Sequence, residues 1–192
     1  MIQLKNIVKS YPMGNRELTV LHGVDLNIDK GEMVAIMGPS GSGKSTLLNM
    51  IGLLDRPTSG SYVLDGKEVS KLNPGEQAKV SGQQIGFIFQ SFNLLGYLSA
   101  LGNVELGQKY ASKIDSKVAK EALAKKPPVI LADESTGNLD SHTSKDIMSI
   151  LTKLHKEQGI TLIMITHDPN TARYCQRIVH IEDGQILKEE VV

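Results

Sequence analysis

Gly38-Pro39-Ser40-Gly41-Ser42-Gly43-Lys44-Ser45-Thr46 decides how the rest of the chain is read. The stretch fits G-x-x-x-x-G-K-S/T, follows directly on the apolar run Met33 to Met37, and leads directly into the helical stretch Thr46 to Ile51. Strand, glycine loop and helix form the setting in which this motif binds phosphate. The glycines let backbone N–H groups turn inward, and the helix N-terminus adds partial positive charge. There Lys44 reaches the β and γ phosphates of a nucleotide, and the Ser45 hydroxyl ligates Mg²⁺. The bland alternative is a glycine-rich turn that binds nothing; the lysine, the serine and both flanks argue against it.

Outward from the loop, apolar runs of strand length recur at Val34 to Met37, Ile85 to Phe89, Val129 to Ala132 and Leu162 to Ile165, separated by helical segments. Continuous runs of this kind predict a parallel sheet covered on both faces. The run at Val129 ends in Asp133-Glu134, which puts two carboxylates where ligands of open α/β sheets collect. In that position Asp133 holds Mg²⁺ and Glu134 polarises the attacking water. A solvated strand end would look the same in isolation; the phosphate loop favours the functional reading. The run at Leu162 ends in Thr166-His167-Asp168, so His167 lies at the same rim as a hydrogen-bond donor to the γ-phosphate. His22, His142, His155 and His180 have no such placement.

The first third of the chain has a different period. Ile2, Leu4 and Ile7, then Val24, Leu26 and Ile28, then Tyr62 and Leu64, alternate with polar residues and predict half-buried antiparallel strands. Between Asp140 and Gln158, Ile147, Ile150, Leu151 and Leu154 recur at helical spacing, with Gly159 as the stop. Residues 107–126 differ in texture, with six lysines and few large apolar side chains.

The chain of 192 residues suits one domain with a sizeable core. Its 21 basic and 21 acidic residues leave no net field to attract nucleic acid, so partners are to be found through sites. A single cysteine, Cys175, and a start without a basic or apolar leader pattern predict a reducing cytosol. The apolar runs are too short to cross a bilayer, so any membrane role is expected to come through a separate subunit.

GPSGSGKST, IGFIFQ, ILADEST, TGNLD and ITHD, in that order, resemble the ATP-binding subunits of ABC transporters over nearly the whole chain outside residues 107–126. Gly52-Leu-Leu-Asp55, Phe92-Asn-Leu-Leu95 and Thr136-Gly-Asn-Leu-Asp140 look like the ATPases of lipoprotein-release and macrolide-efflux systems. The resemblance implies an α/β fold of the P-loop NTPase kind: a mostly parallel sheet flanked by helices, an N-terminal antiparallel β subdomain and a truncated helical subdomain. Within one ABC-type domain, 1–32 and 60–72 would be the antiparallel β region, 33–59, 85–90 and 127–192 the nucleotide-binding core, and 91–126 the shortened helical subdomain. It further implies ATP and Mg²⁺ as cofactors, with Gly38 to Thr46 on the phosphates and Tyr11 stacked on adenine. Gln90 would touch Mg²⁺ and link the nucleotide to the membrane subunit, while Asn138, Leu139 and Asp140 would cross a dimer interface. Expected partners are an integral membrane transporter subunit and a second ATP-binding subunit, with the chain peripheral on the inner, cytoplasmic face of the membrane. The rivals are a nucleotide-binding module that no longer turns over, which phosphate release would separate, and a soluble ABC ATPase of repair or translation, although such proteins usually carry two ATPase domains or long insertions.

One departure matters. The family places LSGGQ between the glutamine and the acidic strand, but here Gln90 and Asp133 are 43 positions apart and the interval contains no such string. It is short by roughly 30 to 40 residues, two or three helices at ordinary lengths. The remaining Ser112 to Lys126 could form one short helix with Asp115 as N-cap. Ser81-Gly-Gln-Gln84 looks similar to the signature but precedes Gln90, so it is read as coincidence. Ser135, where the family usually has proline, and Gly102, where it often has an acid, remove no catalytic group. Each signature closes on the other subunit's γ-phosphate, so nucleotide binding is expected to survive and hydrolysis to be slow or absent.

Overall fold

The computed structural model describes residues 1–88, 99, 127–133 and 141–192. Strands β1 (Ile2–Met13) and β2 (Arg16–Ile28) form a hairpin in which Met13 pairs with Arg16 across Gly14-Asn15. Ile2, Leu4, Ile7, Val24, Leu26 and Ile28 are all buried, as the alternation predicts. The longer step from Leu4 to Ile7 is a β-bulge. Asn6 takes a positive φ of 49° there, and its N–H donates to Asp25 Oδ1 at 2.9 Å, so Ile7 turns inward.

After β3 (Met33–Met37), which belongs to a second sheet, β4 (Ser59–Leu64) and β5 (Lys67–Glu68) return to the first, giving the antiparallel order β2-β1-β4-β5. The second sheet adds β6 (Ile85–Ile88), β7 (Val129–Asp133), β8 (Thr161–Ile165), β9 (Arg177–Glu182) and β10 (Gln185–Val191), in the order β10-β9-β3-β8-β7-β6. Its pairings are parallel except β10 with β9.

The continuous apolar runs have a simple cause. Val34 and Ile36, Leu131, and Ile163 and Ile165 pack into one core with the antiparallel sheet and helix α1 (Lys44–Ile51). Met33 and Ala35, Ile130 and Ala132, and Leu162 and Met164 alternate with them into a core on the opposite face. Side chains of a strand point to opposite faces in turn, so a sheet buried on both faces needs every position apolar.

The described residues form three more helices, α2 (Pro74–Gln84), α3 (Ser141–Gln158) and α4 (Pro169–Ala172). Hydrophobic periodicity does not announce α2, although Asn73 and Glu76 form a reciprocal capping box with Pro74 at the first turn. Ser81-Gly-Gln-Gln84 is the last turn of this helix, and the Ser81 hydroxyl donates to Gly52 O at 2.8 Å. That string therefore presents no helix N-terminus to a phosphate, in keeping with coincidence.

In α3 the expected stripe is corrected at one position. Met148 and Leu151 are buried and Ile147 and Leu154 pack beside them, but Ile150 is 59% exposed. Helical spacing marks a face about that wide; which edge meets the sheet depends on how the helix is rotated onto it. The helix stops as expected, with the Gly159 N–H donating to His155 O at 2.9 Å. Among the described residues, no helix is long and apolar enough to cross a membrane.

Candidate nucleotide-binding site

The glycine loop leaves β3 at Met37 and enters α1 at Lys44. Two of its glycines are obligatory. At Gly38 a Cβ would lie 2.0 Å from Ile181 O, and at Gly43 a φ of 99° would be combined with a Cβ 3.0 Å from Leu21 Cδ2 and 3.2 Å from Val20 O. The turn between β9 and β10 braces the loop from behind: Gly184 N–H donates to Ser42 O at 3.0 Å, and His22 N–H donates to Gly184 O at 2.9 Å. Both sheets thus hold the loop in place.

Helix α1 starts without a side-chain cap, and Leu47 N–H bonds back to Gly43 O at 2.8 Å. The amides of the first turn before it lack helical partners by geometry, the condition that suits an anion. Lys44 is buried, and its ammonium donates to Gly38 O at 2.9 Å and Pro39 O at 2.6 Å. An ammonium has three donors, so among the described residues one is left for a phosphate oxygen.

A cavity of about 630 Å³ opens over this loop, lined by Gly38, Pro39, Ser40, Gly41, Gly43, Lys44, Ser45 and Thr46 together with Asp133, His167 and Val20. The structure therefore brings the phosphate loop, the acidic strand end and the histidine to one place. Asp133 is registered opposite Ile165 in the β7–β8 pair, and His167 follows two residues later at the same rim. The turn carrying His167 is held by Thr166, which is buried; its N–H donates to Ile36 O at 3.3 Å and its hydroxyl accepts from Asp168 N–H at 3.1 Å. Asp168 caps α4, accepting from Asn170 N–H, Thr171 N–H and the Thr171 hydroxyl, and these hydrogen bonds hold its carboxyl below the usual range.

Ser42 does not line the cavity; it is buried, and its hydroxyl has no hydrogen-bond partner among the described residues. Tyr11 is not in the lining either, and its hydroxyl donates to Asp55 Oδ2 at 2.8 Å. Gln90, Glu134, Asn138, Leu139 and Asp140 lie outside the described residues, as do Gly102, Ser135 and the short helix expected at Ser112 to Lys126. Sequence reasoning does not reach Val20 and Gly184, because nothing in a strand residue or a hairpin turn signals a neighbour so far along the chain. The donors fit a magnesium nucleotide: Ser45 and Asp133 supply hard oxygen ligands, which suit Mg²⁺, and the loop supplies amides and a cation for phosphate.

The family described as ABC transporter matches residues 21–122. An uncharacterised ABC transporter ATP-binding protein of Methanocaldococcus jannaschii is 41% identical, with 99% of this chain and 97% of that protein covered. The macrolide export ATP-binding/permease protein MacB of Syntrophobacter fumaroxidans is 38% identical over 98% of this chain but only 31% of its own length. The archaeal cassette has been solved as a dimer in a post-hydrolysis state bound to ADP and Pi; that structure matches with a TM-score of 0.88 at 40% identity, covering 100% of this chain and 98% of that one. The archaeal alignment spans 227 positions against 192 residues here, leaving about 35 without a counterpart in this chain. Since both proteins are covered almost end to end, the shortfall is internal, and its size is that expected between Gln90 and Asp133. By family match, by identity over its full length and by fold, this chain belongs to the ABC transporter ATP-binding proteins.

Proposed function

We propose that the chain binds Mg·ATP in the cavity over the glycine loop and serves as the ATP-binding subunit of a transporter whose pore is a separate membrane protein. The meeting of loop 38–46, Asp133 and His167 at one sheet rim carries this reading. The loop amides and the α1 N-terminus hold the phosphates, and the remaining donor of Lys44 reaches the β and γ oxygens. Ser45, Asp133 and Gln90 would hold Mg²⁺, which would supply electrostatic stabilisation of the phosphate charge. Glu134 orients the water that attacks the γ-phosphorus, His167 donates to the γ-phosphate, and Tyr11 stacks on the adenine.

The partners proposed are a second ATP-binding subunit and an integral membrane subunit, which would hold the chain at the inner face of the membrane. Support comes from the relative solved as a dimer and from relatives that join ATP-binding and permease functions in one chain. Turnover in this chain is slow or absent. The Gln90–Asp133 interval without LSGGQ and the internal shortfall of the alignment support that part.

Calorimetric titration of the purified chain with ATP, with and without magnesium, combined with steady-state phosphate release, tests both parts. Magnesium-dependent binding is expected, with release at least about 100-fold below the ordinary enzyme range of roughly 1 to 1,000 per second. Release within that range, abolished by Lys44→Ala, would overturn the slow-turnover reading. Absence of magnesium-dependent affinity would overturn the whole assignment.

A further inference from the structure

Beside the cavity, β1 meets the C-terminal end of α1 in a polar cluster. The Tyr11 hydroxyl donates to Asp55 Oδ2 at 2.8 Å, while Lys9 Nζ donates to Asp55 Oδ1 and to Arg56 O, each at 2.7 Å. The same ammonium lies 4.7 Å from the centroid of the Tyr11 ring, within cation–π range. Lys9 is buried, so an unpaired charge there would be costly and the pair with Asp55 is held in place.

Asp55 is itself fixed. Arg56 N–H donates to its Oδ1 at 2.7 Å, its own N–H donates to Asn49 O of α1 at 3.3 Å, and Gln77 Nε2 of α2 donates to its carbonyl at 3.1 Å. Burial acts to raise the Asp55 pKa, but hydrogen bonds from Lys9, the Arg56 amide and Tyr11 hold the carboxyl below the usual range. Burial and the neighbouring Asp55 push the Tyr11 phenol up, so it stays a donor to that carboxylate. Thr46, which lines the cavity, is a neighbour of the same hydroxyl.

Tyr11 thus has two fixed points, a carboxylate at its hydroxyl and a cation against its ring. The carboxylate is tied to α1 through Asn49 O, and the cation, on β1 two residues before Tyr11, is held by Asp55 and by Arg56 O; α1 begins at the phosphate loop and runs about 12 Å. The geometry points to Asp55 as a positioning residue for nucleotide binding: with Lys9 it sets the Tyr11 ring beforehand, so that the base meets a platform already ordered. This rests on the reading of Tyr11 as the adenine platform. Ordering a side chain before binding removes that cost from the binding step.

The test compares Mg·ATP with magnesium and inorganic triphosphate as ligands of the full chain, by calorimetry. Asp55→Ala is expected to weaken ATP about 3- to 10-fold and to leave the inorganic triphosphate unchanged. Tyr11→Ala should weaken ATP by about 10-fold, and Asp55→Ala added to it should cost nothing further. A purely structural role would lower thermal stability without changing the ratio of the two affinities. If Asp55→Ala weakens both ligands equally, or neither, while Tyr11→Ala weakens ATP alone, the positioning role is overturned and the Tyr11 reading stands. If Tyr11→Ala leaves ATP affinity unchanged, both fall. Should Asp55→Ala not fold, Asp55→Asn and Lys9→Met carry the same comparison, and a change in the ratio in either supports the proposal while none in both overturns it.

Discussion

The Lys44 ammonium donates to the carbonyl oxygen of Pro39 at 2.6 Å, so the cation of the phosphate loop rests on the backbone of that same loop. With Gly38 O as a second acceptor at 2.9 Å, the ammonium is held against the loop whose cavity the side chain lines.

Lys44→Ala is therefore expected to reduce Mg·ATP affinity by about 10- to 100-fold, the worth of one or more hydrogen bonds to a charged group. Competition with a fluorescent ATP analogue measures it. An unchanged affinity would show that the triphosphate does not lie on this loop.

Tyr62 is buried and its hydroxyl donates to Ile51 O at 2.8 Å, satisfying a carbonyl at the end of α1. Tyr62→Phe leaves that carbonyl without its donor and is expected to lower unfolding stability by about 1 to 2 kcal/mol. Guanidinium melts followed by circular dichroism give the difference.

Glu68 supports the first sheet by accepting from the Ser61 hydroxyl at 2.7 Å, from the Ser70 hydroxyl and amide, and from Tyr62 N–H at 3.2 Å. Burial acts to raise its pKa, but these donors bring it down to about 2. A carboxyl depressed by folding adds stability that is fully present above its ordinary, unfolded pKa and is lost as pH falls toward the folded one. The stability gap between the native chain and Glu68→Gln should be constant from neutral pH down to about 5 and shrink between there and about 2. Melting temperatures across that range decide; a constant gap throughout would contradict the assignment.

Cys175 is buried in the core under α3 and α4, and burial pushes its thiol up to about 12. The thiolate is the reactive form, so a disulfide reagent at pH 8 is expected to label the native chain far more slowly than the chain unfolded in guanidinium. Equal rates would mean the core opens readily.

Much of the site is legible in the order of residues. The motif at Gly38 and the apolar runs ending at Asp133 and Thr166 mark three points on one sheet rim, and the cavity joins them. Helix α2 escapes a search for apolar periodicity because its signal, Asn73-Pro74 followed by Glu76, lies in a stretch with few large apolar residues. Ile150 falls on the exposed side because periodicity marks a helical face but not its rotation on the sheet. The Tyr11–Asp55 bond spans 44 positions, and no local pattern announces it.

By itself, the sequence determined which backbone segments could be strands, where a loop could cradle phosphate, and where carboxylates and a histidine would end up along the chain. Those are local properties: the alternation of side chains along a strand, the φ that glycine allows, the amides exposed at a helix start. Only the tertiary structure decided that β3 lies between β8 and β9, that Gly184 braces the loop, and that Lys9 and Asp55 clamp Tyr11. Such pairings depend on the packing of two cores on opposite faces of one sheet, a balance over contacts far apart in the chain that no short window contains.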